Sequence, residues 1–225
     1  MTQRTPEVKP WDETLRQAFV QPRHAAGQFA HCTRTPADAW EFLAQLHGAA
    51  DAAVQHWPRR TEHACAPGCF FCCFLWIDAM PLEVLRIADY LQRTVSPSDL
   101  AEVRRRLHER LVAPPGERPC GLLTAEGCCA VYAIRPMTCR GFHSFSKSAC
   151  QTSFEGRSSG PTADLDEPLH MLVAAMQGGI ERGLAEHGFE SGWVELNEAL
   201  LHVLDLPTAL ISWLSREPVF PSPSA

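Results

Sequence analysis

The sequence predicts a mainly α-helical protein: a small helical domain in which two irregular cysteine-rich loops form one metal site, followed by C-terminal helices. Three observations lead to this class. Apolar residues recur at three- and four-residue steps in several segments, which is the period of an amphipathic helix. Ten cysteines occur among 225 residues, and most of them fall in two irregular stretches. Runs of β-branched residues are few, so strands have little support.

The first part of the chain divides at its prolines. Residues 1–36 are rich in Pro, Arg and Thr and have weak periodicity, so we expect an irregular N-terminal arm. Residues 37–57 carry an apolar stripe that predicts a helix, and Pro58 ends it. We interpret residues 37–150 as a cysteine-cluster metal-binding domain.

Two further helices separate the cysteine-rich stretches. Pro81 suits the first position of a helix over 81–94. Ser96-Pro97-Ser98-Asp99 has the residues of a helix start, and the helix that it opens runs to about Val112. Its other face is basic, which we interpret as solvated charge mixed with glutamates.

The last part of the chain again has helical periodicity. Residues 152–164 have the composition of a linker, and residues 165–216 form the predicted C-terminal helical segment, with helices at about 165–187, 192–204 and 207–216. The remaining residues, 217–225, are rich in Pro and Ser and predict a flexible tail.

Charge and hydropathy limit the classes of function that we expect for the chain. A net charge of −6 gives no overall attraction to nucleic acid, and no stretch has the length of apolar residues needed to span a bilayer. The first residues lack the apolar core of a signal peptide, so we expect a cytoplasmic protein. In a reducing compartment, dense cysteine indicates metal binding or catalysis more often than disulfides.

The cysteines form two groups. CAPGCFFCC, residues 65–73, holds four of them, and a second group lies in residues 120–139. Thiolates at short spacing converge on a soft metal ion or cluster, because the turn between them directs their sulfurs to the same side. Two loops distant in sequence can supply ligands to one centre.

A longer pattern surrounds the second group. It reads C-x8-C-x2-Y-x2-R-P-x2-C-R over residues 120–140, and C-x3-C-x2-CC precedes it. This combination resembles the CxxCxxCC family of zinc- or iron-chelating cysteine-cluster proteins. One departure is that three residues separate the first two cysteines here, where the family has two.

The resemblance implies a set of site residues. It implies that Arg135 and Arg140 lie near the cofactor, where guanidinium groups would offset the charge of the thiolates. It treats Cys128 as a spectator. The implied metal ligands are Cys65, Cys69, Cys72, Cys73, Cys120, Cys129 and Cys139.

The sequence leaves the metal and the activity open. Zinc needs four ligands, and so does a [4Fe-4S] cluster, so the number of thiols does not decide between them. Cys65-x3-Cys69-x2-Cys72 also has the spacing of a radical S-adenosylmethionine loop, but the flanking sequence lacks that fold's strand–helix alternation.

The main hypothesis is a metal-binding protein holding an iron–sulfur cluster or zinc. The alternatives are a cluster-dependent methyl-transfer or redox enzyme and a zinc-stabilised interaction module with an unidentified protein partner.

Overall fold

A computed structural model describes residues 10–32, 35–156 and 163–221. These residues form nine α-helices and one antiparallel pair of short strands, β1 (Asp78–Ala79) and β2 (Val194–Glu195), in which Asp78 lies opposite Glu195. The mainly helical class is therefore confirmed. The helices are α1 (Pro10–Cys32), α2 (Pro36–His56), α3 (Pro81–Thr94), α4 (Pro97–Val112), α5 (Met137–Gly141), α6 (Lys147–Gly156), α7 (Glu167–Ala185), α8 (Leu196–Leu204) and α9 (Ala209–Leu214).

The predicted helix starts have physical caps. Thr35 accepts a hydrogen bond from the Asp38 backbone, and the Asp38 carboxylate accepts one from the Thr35 backbone, so α2 begins with a capping box. Ser96 accepts from the Asp99 backbone and opens α4. These local signals are readable in sequence, and the helices predicted over 37–57, 81–94 and 96–112 are confirmed to within a residue or two.

The predicted irregular arm over 1–36 is wrong for residues 10–32, which form the 23-residue helix α1. The proline-rich composition of this region favours irregular structure, and Pro22 does lie inside the helix. Packing against α7 overrides that local preference, since Ala26 and Ala30 are buried. Residues 1–9 and 33–34 lie outside the described part of the chain.

The predicted tail and linker also need correction. Val219 and Phe220 are buried, and their backbone N–H groups donate to the Glu190 carboxylate, so residues 217–221 are anchored. The remaining residues of the predicted tail, 222–225, lie outside the described residues. Helix α6 extends into the predicted linker as far as Gly156, and residues 157–162 are not described.

One continuous hydrophobic core joins the helices. Helix α3 lies at its centre, because Val84, Ile87 and Leu91 are completely buried. Helix α1 packs along α7, α5 contacts α7, and α8 packs on α3 and α4. The cysteine loops therefore lie between helices that are fixed by the same core. Among the described helices, none combines the length and apolar character of a membrane span.

Candidate metal centre

The first cysteine loop is a run of tight turns. The backbone N–H of Cys69 donates to Ala66 O at 2.9 Å, and that of Cys73 donates to Phe70 O at 2.9 Å. Residues Phe71–Phe74 then form one turn of 3-10 helix that contains Cys72 and Cys73. The dipeptide Pro67-Gly68 predicts a turn here, and Gly68 has a φ of 82°.

The second cysteine loop folds back on itself. Leu123 pairs with Cys129 in an antiparallel bridge, and the Thr124 N–H donates to Cys128 O at 2.8 Å. Gly127 turns this loop with a φ of 74°, a conformation that glycine adopts without strain.

The two loops contact each other directly. The Cys120 N–H donates to Cys73 O at 2.7 Å. A Cβ atom at Gly127 would lie 3.3 Å from Phe70 Cδ1, so the tip of the second loop packs on the first. The chain between Cys73 and Cys120 runs through α3 and α4. The packing of these two helices therefore sets how the loops meet, and sequence spacing alone does not give this contact.

Two buried polar side chains fasten the loops to the helices. The Arg110 guanidinium, on α4, donates to the carbonyl oxygens of Phe74 and Leu75 at 3.2 and 3.1 Å and also to that of Arg118. Asn197, on α8, accepts from the Gly121 N–H at 2.9 Å. The interpretation of the basic face of α4 as solvated is wrong for Arg110, because this residue is buried. Arg110 thus joins the end of the first loop to the start of the second.

A buried polar network positions Cys139. The Glu83 carboxylate accepts from the Met137 N–H at 2.7 Å at the start of α5, the short helix that carries Cys139. His47 lies 3.1 Å from the same carboxylate and 3.2 Å from Arg140. Arg140 also pairs with Asp51. The buried charges of this network are thus paired, as such groups require.

The thiols of both loops and of α5 raise one another's pKa values. Burial raises the pKa of Cys120 to about 12, and the neighbouring Cys129 thiol contributes to the rise. Burial also raises the pKa of Cys129, with Cys72 contributing. For Cys139, burial raises the pKa well above its usual range, and the thiols of Cys120, Cys72 and Cys129 add to the effect. The structure therefore gathers thiols from three parts of the chain.

Cys72 and Cys73 form an asymmetric pair. The Cys73 thiol donates a hydrogen bond to Cys72, which lowers the pKa of Cys72 to about 7, and the charge of Arg135 lowers it as well. The same bond raises the pKa of Cys73, and burial adds to this. Cys72 is consequently the thiol of this pair that ionises first.

The two predicted cofactor arginines differ in their surroundings. Arg135 stacks on Tyr132 at 4.0 Å, and its charge lowers the pKa of Cys72 and opposes the rise in the pKa of Cys129. Arg140 is buried, and it donates to Ala133 O, Arg135 O and Asp51. Of these two arginines, Arg135 is therefore the one placed to act on the thiols directly.

Cys65 and Cys69 lie towards α6, together with a cysteine that the resemblance did not carry over. Burial raises the pKa of Cys65, and Cys69, Cys72 and Cys150 raise it further. The pKa of Cys69 is raised by burial, then by Cys72 and Cys150. The sequence offers no signal for Cys150 beyond its presence, because its approach to the first loop depends on how α6 packs on residues 71–74.

Two histidines beside the cysteines hold the loop in place. His63 lies 3.0 Å from the Asp166 carboxylate and stacks on His143, with ring centroids 4.6 Å apart. Burial and the charge of His63 lower the pKa of His143 to about 4, so the ring is neutral near pH 7. The Ala64 N–H donates to Ser144 O at 2.8 Å, which fixes the chain just before Cys65.

A cavity of about 220 Å³ adjoins the first loop. Cys72 and Cys150 both line it, with aromatic side chains that include Phe71, Phe142 and Phe154. A larger cavity of about 560 Å³ lies at the start of α7, between Trp57 and Asp166, and no cysteine lines it. Of the two cavities, the smaller is therefore the one that is adjacent to the thiols.

The donor set suits a soft metal. All ten cysteines are free thiols, and thiolates select zinc, copper(I) and iron–sulfur clusters over harder ions. Within the described ranges, no three Cys, His, Asp or Glu side chains converge closely enough to hold a single ion. The chemistry of the residues fits a thiolate-bound metal.

The fold and the thiols together define a helical domain with a cysteine-rich site. Residues 64–156 match the family model described as "CxxCxxCC: Putative zinc- or iron-chelating domain". The resemblance inferred from the motif is thus confirmed for this segment, which contains both loops, Cys139 and Cys150. No curated protein and no solved structure matches the chain.

Proposed function

We propose that residues 64–156 bind a metal centre through cysteine thiolates, and that this centre is a [4Fe-4S] cluster. The observation that supports binding most is the gathering of buried and half-buried thiols with raised pKa values from both loops and α5. Such thiols keep their protons when no cation is near, and a bound metal replaces those protons. When bound, an iron–sulfur cluster supplies one-electron transfer.

The spread of the thiols favours a cluster over zinc. A tetrahedral zinc site made of thiolates alone requires four sulfurs at about 2.3 Å from one point. The described side chains do not converge in that way. A four-iron cluster carries its cysteine ligands on separate iron atoms, so its sulfurs need not meet at one point. The proposed ligands are drawn from Cys65, Cys69, Cys72, Cys73, Cys120, Cys129 and Cys139, with Cys150 as a further candidate.

Within this proposal the arginines have different roles. Arg135 is near enough to influence Cys72 and Cys129, so it offsets part of the negative charge of the bound centre. Arg140 is a positioning residue, since its contacts hold the segment that carries Cys139.

Metal retention in serine variants tests the proposal. The triple variant Cys72→Ser, Cys129→Ser, Cys139→Ser should lose bound metal after anaerobic purification, as measured by elemental analysis. The matched control is Cys32→Ser with Cys128→Ser, because both of these thiols are exposed. Equal metal content in the two proteins would contradict the ligand assignment. A colourless control protein with bound zinc would instead favour the zinc-stabilised interaction module.

A second candidate function is catalysis at the cluster. The cavity beside Cys72 supports it, because an enzyme needs room for a substrate next to the reactive group. Titration of the cluster-loaded protein with S-adenosylmethionine, followed by calorimetry and the visible spectrum, tests the methyl-transfer version. The absence of both binding heat and a spectral change would contradict the methyl-transfer hypothesis.

We further propose a cytoplasmic location and no nucleic-acid partner. Ten free thiols fit a reducing compartment. The basic face of α4 is engaged within the chain: Arg104 pairs with Asp205, and Arg105 pairs with Glu102 and Glu109. Measurement of DNA and RNA binding at low salt tests the second part of this proposal.

A further inference from the structure

We propose that His31 and His187 form a second metal site, for a divalent transition-metal ion such as zinc, where α1 and α7 end. The site lies outside residues 64–156 and does not depend on the proposed function of the cysteine centre. Three features of the structure carry the proposal: the arrangement of the helices, the geometry of the imidazoles and the field at the helix ends.

Helices α1 and α7 are parallel and unusually close. Phe19 packs against Gly179, Arg23 against Gly183, and Gly27 against His187, so the two chains advance in the same direction. Added Cβ atoms at Gly179 and Gly183 would collide with the backbone of α1. The close approach is possible only because these residues have no side chain. It brings the C-terminal ends of both helices together, at Cys32 and Ala185.

The Nε2 atoms of the two imidazoles lie at a separation that two ligands of one ion would have. His187 Nδ1 lies 2.9 Å from Gly183 O, which only accepts, so this nitrogen carries the proton and Nε2 is left with a free lone pair. A backbone carbonyl on the other ring nitrogen is the usual partner of a metal-bound histidine. His31 Nε2 lies 3.2 Å from His187 Nε2. Two nitrogens on a tetrahedral zinc ion are about 3.3 Å apart, given its bond lengths.

The helix ends supply partial negative charge to the site. Helix C-termini carry partial negative charge on their free carbonyls, and here two of them coincide. The end of α1 already binds one cation, since the Arg216 guanidinium donates to Ala30 O at 3.1 Å. The adjacent carboxylate, Glu186, is paired with Arg23 and Arg182. The imidazoles are therefore the donors left for a metal.

The site offers two ligands from the protein. Among the described residues no third Cys, His, Asp or Glu converges with this pair, so water would complete the coordination. Binding of this kind is exchangeable. It would fasten α1 to α7 and stabilise the folded chain by an amount that grows with the free metal concentration.

Zinc titration of the full-length chain tests the proposal. The cysteine centre is filled first, and zinc is then added while binding heat and melting temperature are recorded. We expect one further zinc per wild-type chain and a higher melting temperature. His31→Ala and His187→Ala should each weaken this binding by about 100-fold or more, as loss of a metal ligand exceeds loss of an outer-shell partner.

His24→Ala is the matched control, because His24 is another exposed histidine of α1, whose ring contacts Gln28 at 3.1 Å. It should bind zinc as the wild type does. His31→Asn provides a second variant that keeps a polar side chain at this position. Equal zinc uptake by the wild type and both histidine variants would overturn the proposal, and the pair would then be a simple hydrogen bond. The comparison holds whether or not the cysteine centre binds metal, because every variant keeps all the cysteines.

Discussion

At the scale of single residues, neighbouring positions have opposite properties. Cys72 and Cys73 are adjacent, yet one pKa is lowered and the other is raised, because one thiol donates a hydrogen bond to the other. Arg135 and Arg140 belong to the same motif, yet one acts on thiols and the other is a buried support. Residue type and spacing do not separate these roles, since each depends on what the side chain contacts.

The Cys72–Cys73 bond makes Cys72 the most reactive thiol of the loop. In the metal-free protein we expect iodoacetamide to label Cys72 with a midpoint near pH 7, as its pKa is about 7 and the thiolate fraction rises with pH. Mass spectrometry after digestion checks the site. Cys73→Ala removes the donor and should move the midpoint to higher pH. Faster labelling of buried Cys120 than of Cys72 would contradict this.

Substitutions of Arg140 and Arg135 should have different effects: the first should lower the stability of the fold, and the second should weaken metal binding. Arg140→Met leaves carbonyl oxygens such as Ala133 O without their buried donor, so we expect a loss of about 1–3 kcal/mol in the free energy of unfolding. Arg135→Gln should change stability little and weaken metal retention. Urea denaturation and elemental analysis measure the two effects. Equal effects of both substitutions on stability would count against the division of roles.

Cys150 should behave as part of the centre. Its thiol raises the pKa values of Cys65 and Cys69, and it lines the cavity together with Cys72. We expect Cys150→Ser to lower metal content or speed metal loss to a chelator, whereas Cys128→Ser should not. Identical loss rates for the two variants would restrict the centre to the cysteines of the family motif.

At the scale of elements, some helices are specified by local sequence signals and others by tertiary contacts. Helices α2, α3 and α4 begin with prolines that are visible in sequence, and α2 and α4 also have capping residues there. Helix α1 is not visible there, because a proline inside it hides the pattern and its stability comes from contact with α7. The partners of the loops, Arg110 and Asn197, could not be predicted either, since they lie on helices far away in sequence.

The α1–α7 contact can be tested through its glycines. Gly183→Ala adds a Cβ that would overlap Arg23 O and Ala26 Cβ, so we expect a loss of about 1–3 kcal/mol in stability. The control is Gly48→Ala in α2, where the new atom meets nothing within 4 Å. That change should stabilise the protein by about 0.5–1 kcal/mol. Chemical denaturation measures the free energy of unfolding of both variants. If Gly183→Ala left that free energy unchanged, the close packing would be contradicted.

At the scale of the whole molecule, the helices form a frame around the cysteine segment. Helices α4, α5, α6 and α8 each touch the loops or carry a thiol. The helical class, the two loops and the motif cysteines could be predicted from the sequence, because they depend on local patterns. The direction of each thiol and the approach of Cys150 could not, because they depend on packing between distant segments.

The most direct test of the account is the iron, sulfide and zinc content of anaerobically prepared protein, read with its visible absorption. We expect a coloured protein with about four iron atoms and four sulfides per chain, as a four-iron cluster requires. Zinc in place of iron would keep the thiolate centre and contradict the cluster. Protein that contains neither metal, and takes up none on reconstitution, would contradict the central claim that these cysteines hold a metal.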